Sequence, residues 1–68
     1  MNNLFYLKQA LKITYREFLN ALRIFRAEPS YSNAKRLSEI LDRRATLKDL
    51  YIDELEENLN LTKNNKTS

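Results

Sequence analysis

The chain of 68 residues contains no glycine, cysteine, histidine or tryptophan and a single proline. This composition excludes disulfides, zinc sites built from cysteine and histidine, thiol nucleophiles and glycine-rich phosphate loops. The net charge of +3 is small for a protein dedicated to nucleic acid, and 43% hydrophobic with 31% charged residues is typical of a helical domain rather than a disordered chain.

The first predicted element is a helix over residues 4–26. Apolar residues recur along it at heptad spacing, which is typical of a helix with one buried stripe. This predicted core stripe consists of Leu4, Leu7, Leu11, Thr14, Phe18, Ala21 and Phe25, widened by Tyr15 and Leu22. Glu28 precedes Pro29 and is biased away from helical backbone angles, so we expect the helix to end near Arg26 or Ala27.

A turn over residues 27–32 and a second helix over residues 33–59 follow. Ser30 and Ser32 can cap this helix, because a serine hydroxyl accepts a hydrogen bond from an unpaired backbone N–H. We expect the core stripe of the second helix to consist of Ala34, Leu37, Leu41, Ala45, Lys48, Ile52, Leu55 and Leu59.

The short connection makes the two helices antiparallel neighbours, so the predicted fold class is all-α, an antiparallel two-helix hairpin. If the turn centres near Pro29, facing residues have numbers that add to about 58 or 59. We expect the hairpin to occupy residues 1–61. Residues 62–68 contain no apolar residue, and we expect them to form a disordered polar tail.

Both helices carry apolar residues outside the predicted core stripes. They are Tyr6, Ile13 and Ile24 on the first helix and Ile40, Leu47 and Leu50 on the second. A hairpin has one internal line of contact, and exposed apolar strips usually mark an interface. Two unsupported helices are also marginally stable. We therefore expect these residues to form a protein interface through which a homodimer forms a four-helix bundle with coiled-coil packing.

The charges are unevenly distributed along the predicted hairpin. A basic patch near the turn consists of Arg16, Arg23, Arg26, Lys35, Arg36, Arg43 and Arg44. An acidic patch at the other end consists of Asp49, Asp53, Glu56 and Glu57. An antiparallel dimer would place the basic end of one hairpin beside the acidic end of the other.

Two cations lie on or beside the predicted core stripe of the second helix, Arg44 and Lys48. Their stems can cover apolar surface while the charged groups reach water. The alternative is a polar residue inside the contact that fixes register or partner choice. Since Glu17 is the acid on the first helix, a Glu17–Arg44 pair is the expected form of that alternative.

The sequence lacks the parts of a catalytic site, because no base accompanies its serines and no histidine or calcium-loop glycine accompanies its acids. We expect no enzyme activity, metal or cofactor. The leading hypothesis is a non-enzymatic regulator, inhibitor or assembly adaptor that dimerises and binds another protein. The first alternative is a nucleic-acid-binding hairpin whose basic end contacts phosphates. Docking on a membrane surface ranks below both.

The compartment and source are indicated only by composition. The first residues lack the charged region and apolar run of a signal peptide, and we expect a cytoplasmic protein. Eight asparagines, with many lysines and isoleucines, favour an AT-rich genome such as that of low-GC bacteria, their phages or their plasmids.

The stretch from Ser30 to Asp42, with Leu37-Ser38-Glu39-Ile40-Leu41-Asp42, resembles the second helix of the small sporulation-regulator aspartyl-phosphate phosphatases. Those proteins are also short helical hairpins, and their signature is Ser-Gln-Glu-Leu-Asp. Here Ile40 stands at the third position of that signature, and the turn lacks the family's glycine. The resemblance implies a phosphatase-like hairpin, which is the remaining alternative.

Overall fold

The computed structural model describes the backbone of residues 3–67 and the side chains of residues 3–59. It contains two helices, α1 (Leu4–Ala27) and α2 (Tyr31–Thr67), which pack against each other as a hairpin. The predicted all-α hairpin is therefore confirmed. Over the described residues, neither helix has a segment apolar enough to cross a membrane.

The break between the helices follows from Pro29 and its neighbours. Glu28 has φ −142° and ψ 86°, the extended backbone that a residue before proline prefers, and its N–H donates to the Ile24 carbonyl at 2.9 Å. The Ser30 hydroxyl accepts a hydrogen bond from the Asn33 N–H at 3.1 Å. Ser30 is thus the N-cap of α2, one of the two predicted caps, and the helix begins earlier than residue 33.

The far end of the hairpin is closed by a contact between the helices. The Asn3 N–H donates to a Glu54 carboxylate oxygen at 3.2 Å, and the N-cap residue Asn3 makes no side-chain capping bond of its own. A carboxylate at a helix N-terminus also interacts favourably with the helix dipole. Glu54 of α2 therefore takes the place of a local cap for α1.

The second helix extends beyond its predicted end at residue 59. The structure continues α2 through Thr67, over most of the segment predicted as a polar tail, and Ser68 lies outside the described residues. No glycine or proline follows Leu59 to stop the helix.

The contact line between the helices, which we call the seam, is narrow. On α1 it follows the predicted stripe, whose members are buried or half-buried apart from Tyr15. The most buried described residues are Thr14, Ala21 and Ile40, which are 6%, 2% and 4% exposed. Among the described residues no large side chain is completely buried, so the hairpin alone has a small core.

The face of α2 that contacts α1 differs from the predicted one. From Leu37 onward the buried and half-buried residues are Leu37, Ile40, Arg44, Leu47, Tyr51, Glu54 and Asn58. Six members of the predicted core stripe are exposed, and we call them the outer stripe: Leu41, Ala45, Lys48, Ile52, Leu55 and Leu59. The predictions that the outer stripe faces α1 and that Ile40 and Leu47 face outward are therefore wrong. Both sets have the same spacing and lie one residue apart, so periodicity alone cannot choose between them.

Candidate interaction surface

A polar cluster centred on Arg44 lies in the seam. The guanidinium donates to the Leu11 carbonyl at 2.6 Å and to the Thr14 hydroxyl at 3.2 Å, and it lies 5.2 Å from the centre of the Tyr15 ring. The Thr14 hydroxyl in turn donates to the Ala10 carbonyl at 2.8 Å. Arg44 thus lies in the seam and binds neutral oxygens and an aromatic ring, rather than Glu17, its partner in the alternative interpretation.

A charged groove runs along one side of the hairpin. Its lining residues are Glu17, Arg36, Glu39, Ile40 and Arg43. The Arg43 guanidinium lies 3.6 Å from the Glu17 carboxylate, and both side chains are exposed. The predicted Glu17–Arg44 pair is therefore wrong by one residue, a rotation of about 100° around α2. An exposed pair of this kind contributes at most about 1 kcal/mol.

Exposed apolar residues occupy the other side of the hairpin, and we call this surface the apolar face. It comprises Phe5 and Leu19 of α1 and Leu41, Ile52, Leu55 and Leu59 of α2. Phe5, Ile52 and Leu59 expose 65%, 50% and 60% of their surface. The α2 residues belong to the outer stripe, whose spacing by threes and fours is the one with which helices pack together. The outer stripe is thus a second packing surface that α1 does not cover.

The Glu17–Arg43 contact establishes that the apolar face is one surface. Each successive helical residue rotates by about 100°, so Arg43 and Ala45 flank the inward-facing Arg44 on opposite sides. Glu17 and Leu19 flank Phe18 in the same way. Since Glu17 and Arg43 meet on the charged-groove side, Leu19 and Ala45 both lie on the other side of the hairpin.

The residues predicted as a protein interface are divided by the structure. Tyr6, Ile13, Ile24 and Leu50 are exposed, whereas Ile40 and Leu47 lie in the seam. Ile24 and Leu50 follow Glu17 and Arg43 by two helical turns, so they lie on the charged-groove side. Sequence reasoning missed most of the apolar face because it assigned the outer stripe to the seam.

The predicted basic patch does not form one surface. Its members are Arg16, Arg23, Arg26, Lys35, Arg36, Arg43 and Arg44. Arg44 lies in the seam and donates to the Leu11 carbonyl, and Arg36 and Arg43 line the charged groove together with acids. Arg16 and Arg23 are exposed two turns apart on the outer edge of α1. This distribution adds nothing in favour of the nucleic-acid alternative.

The predicted acidic patch is exposed and divides between two sides of α2. Asp42, Asp49 and Glu56 are spaced by two turns and lie on one line beside the outer stripe. Asp53 and Glu57 lie toward the charged-groove side. Over the residues that the structure describes, no three acidic side chains come together in a group that could hold a metal ion.

Comparison with known proteins provides no functional information. Neither models of known families, nor curated proteins, nor solved structures match the chain. The hairpin's own surfaces are therefore the basis for its function, and the apolar face is the most pronounced of them.

Proposed function

We propose that the chain is a small cytoplasmic, non-enzymatic interaction module that acts as a homodimer, in which two hairpins bury their apolar faces against each other in a four-helix bundle. The observation that carries this proposal is the outer stripe of α2. It has the spacing of a helix-packing surface, it contains large apolar residues, and the hairpin leaves it exposed.

The energetics support a second copy as the occupant. Fully burying a Leu, Ile or Phe side chain contributes about 1.5–3 kcal/mol, and the residues of the apolar face are already partly covered. Burial of the remaining surface on both copies therefore contributes on the order of 10 kcal/mol. Association costs about 4–15 kcal/mol, so apolar burial of this size is comparable with that cost.

The opposite side of each hairpin stays accessible in such a dimer. It carries the exposed Tyr6, Ile13 and Leu50 next to the charged groove. A surface with apolar residues bordered by charges is typical of transient protein–protein contacts. We place the binding of a target protein there, which makes the dimer a regulator, an inhibitor or an assembly adaptor.

Two isoleucines provide a matched test of which side associates. Ile52 lies on the apolar face and Ile13 on the opposite side, and they are 50% and 58% exposed. Glutamate at Ile52 places a charge in the interface, so we expect Ile52→Glu to be monomeric by size-exclusion chromatography with light scattering. Ile13→Glu is expected to remain a dimer.

The proposal fails if the parent chain is a folded monomer at micromolar concentration. It also fails if Ile13→Glu dissociates the dimer and Ile52→Glu does not. Circular dichroism of both variants at the same concentration reports whether the helices persist.

A further inference from the structure

The two edges of the apolar face carry opposite charges. On the α1 edge lie Arg16 and Arg23, which are exposed and two turns apart. On the α2 edge lie Lys35 and, at successive intervals of two turns, the acids Asp42, Asp49 and Glu56, all of them exposed. A second hairpin placed on this face therefore meets a basic α1 edge and an α2 edge that is acidic except at Lys35.

Two symmetric arrangements bring two apolar faces together. A twofold axis parallel to the helices puts α1 of one copy on α2 of the other, with both turns at the same end. A twofold axis across the helices puts α1 on α1 and α2 on α2, with the turns at opposite ends. Apart from the contacts of Lys35, the edges then meet opposite charges in the first arrangement and like charges in the second.

We infer that the dimer adopts the first arrangement, with the turns of both hairpins at the same end; this inference rests on the proposed dimerisation through the apolar face. Rotation about an axis parallel to the helices leaves each residue at the same height along the bundle as the same residue of the partner. Within the hairpin, residues at equal height have numbers that add to about 58, so Arg16 lies level with the partner's Asp42. Lys12 lies within one turn of the partner's Asp49.

The apolar residues pair consistently in this arrangement. Since the numbers of residues at equal height add to about 58, Phe5 is level with the partner's Ile52, and Leu19 lies within a turn of the partner's Leu41. The twofold axis repeats each contact, so the interface has apolar contacts toward both ends of α1. In the second arrangement Arg16 and Arg23 of both copies share one edge, without acids between them.

The basic patch near the turn and the acidic patch at the other end favour a dimer with turns at opposite ends. In the structure, however, much of each patch lies away from the apolar face. Arg36 and Arg43 line the charged groove, and Asp53 and Glu57 lie toward the same side, away from the apolar face. Charges on the outer surface are screened over about 8 Å at physiological ionic strength. The charges at the edges of the apolar face are closer to the partner and therefore decide the arrangement.

One unfavourable contact in the inferred dimer provides a test. Lys35 precedes Asp42 by two turns on the α2 edge, and Arg23 of one copy lies level with the partner's Lys35. Lys35→Glu converts this repulsion into attraction at two symmetric positions. With each exposed pair worth up to about 1 kcal/mol, we expect the dissociation constant to fall about fivefold to tenfold. The matched control is Arg36→Glu, which makes the same charge change on the charged-groove side.

Sedimentation equilibrium distinguishes the outcomes. In the arrangement with turns at opposite ends, an axis that crosses the middle of α1 lies level with Asp42 of α2. Lys35 then lies beside the partner's Asp49, so Lys35→Glu weakens the dimer. Weakening, or an effect no larger than that of Arg36→Glu, overturns the inference while leaving dimerisation intact. A parent chain that does not dimerise overturns the proposed function instead.

A distance measurement checks the arrangement independently. The chain contains no cysteine, so Ser32→Cys gives a single spin-label position next to the turn. Turns at the same end predict a label separation of about 25 Å across the bundle. Turns at opposite ends also separate the labels along the bundle by most of the length of α1, which is about 36 Å for its 24 residues. This separation is at right angles to the distance of about 25 Å across the bundle, so the two together predict about 40 Å.

Discussion

At the scale of single residues, Arg44 joins the two helices across the seam. Its guanidinium binds the Leu11 carbonyl and the Thr14 hydroxyl, and both oxygens also have bonds within α1. Removing Arg44 therefore leaves no buried oxygen of α1 without a partner. We therefore expect Arg44 to specify which face of α2 meets α1, more than to stabilise the hairpin.

We predict that Arg44→Leu raises the free energy of unfolding by about 1 kcal/mol, because an apolar residue replaces a partly desolvated cation. It also makes the two faces of α2 more alike, so the variant is expected to populate more than one associated species. Chemical denaturation and light scattering measure the two effects. Arg43→Leu, which removes an exposed pair with Glu17, is the control and is expected to change stability by less than about 1 kcal/mol.

If Arg44→Leu lowers the free energy of unfolding by more than about 1 kcal/mol, the hydrogen bonds of Arg44 stabilise the hairpin. A single unchanged species would show that Arg44 does not select the face. Either result contradicts the role assigned to this residue.

At the scale of the elements, the start of α2 depends on Ser30. Its hydroxyl is the acceptor for the Asn33 N–H, which has no partner inside the helix. We predict that Ser30→Ala lowers the free energy of unfolding by about 1 kcal/mol, measured by thermal and urea denaturation. Ser38→Ala, at an exposed position inside α2, is the control and is expected to leave stability unchanged or slightly raised. Equal effects of the two substitutions would contradict the capping role.

The elements also show how far the sequence determines this fold. Pro29 and the heptad spacing of α1 were sufficient to predict the break, the antiparallel hairpin and the α1 side of the seam. The α2 side was not predictable, because Ile40 and Leu47 lie one residue from Leu41 and Lys48 in an equally periodic pattern. What distinguishes the two faces is the hydrogen bonding of Arg44 across the seam, which a one-dimensional pattern does not contain.

The candidate interaction surface was also predictable from the sequence only in part. Exposure of Tyr6 and Ile13 was predicted, since α1 was assigned correctly. The α2 part of the apolar face was not, because an error of one residue moves a whole stripe by about 100° around the helix. The predicted Glu17–Arg44 pair was wrong for a related reason, because Glu17 pairs with Arg43 and the adjacent Arg44 donates to neutral oxygens.

At the scale of the whole molecule, a narrow seam is combined with an uncovered apolar face. The most buried side chains include the small Thr14 and Ala21, whereas Phe5, Ile52 and Leu59 are largely in water. A hairpin with so small a core gains stability from a partner that covers its larger apolar residues. In the proposed dimer, folding and association are coupled, and we expect stability to depend on protein concentration.

The molar mass of the unmodified chain, measured by sedimentation equilibrium across the micromolar range, tests this account most directly. We predict a concentration-dependent mass that approaches twice that of the 8.1 kDa chain, with helicity lost as the dimer dissociates. A constant mass of one chain, with helicity unchanged on dilution, would contradict it.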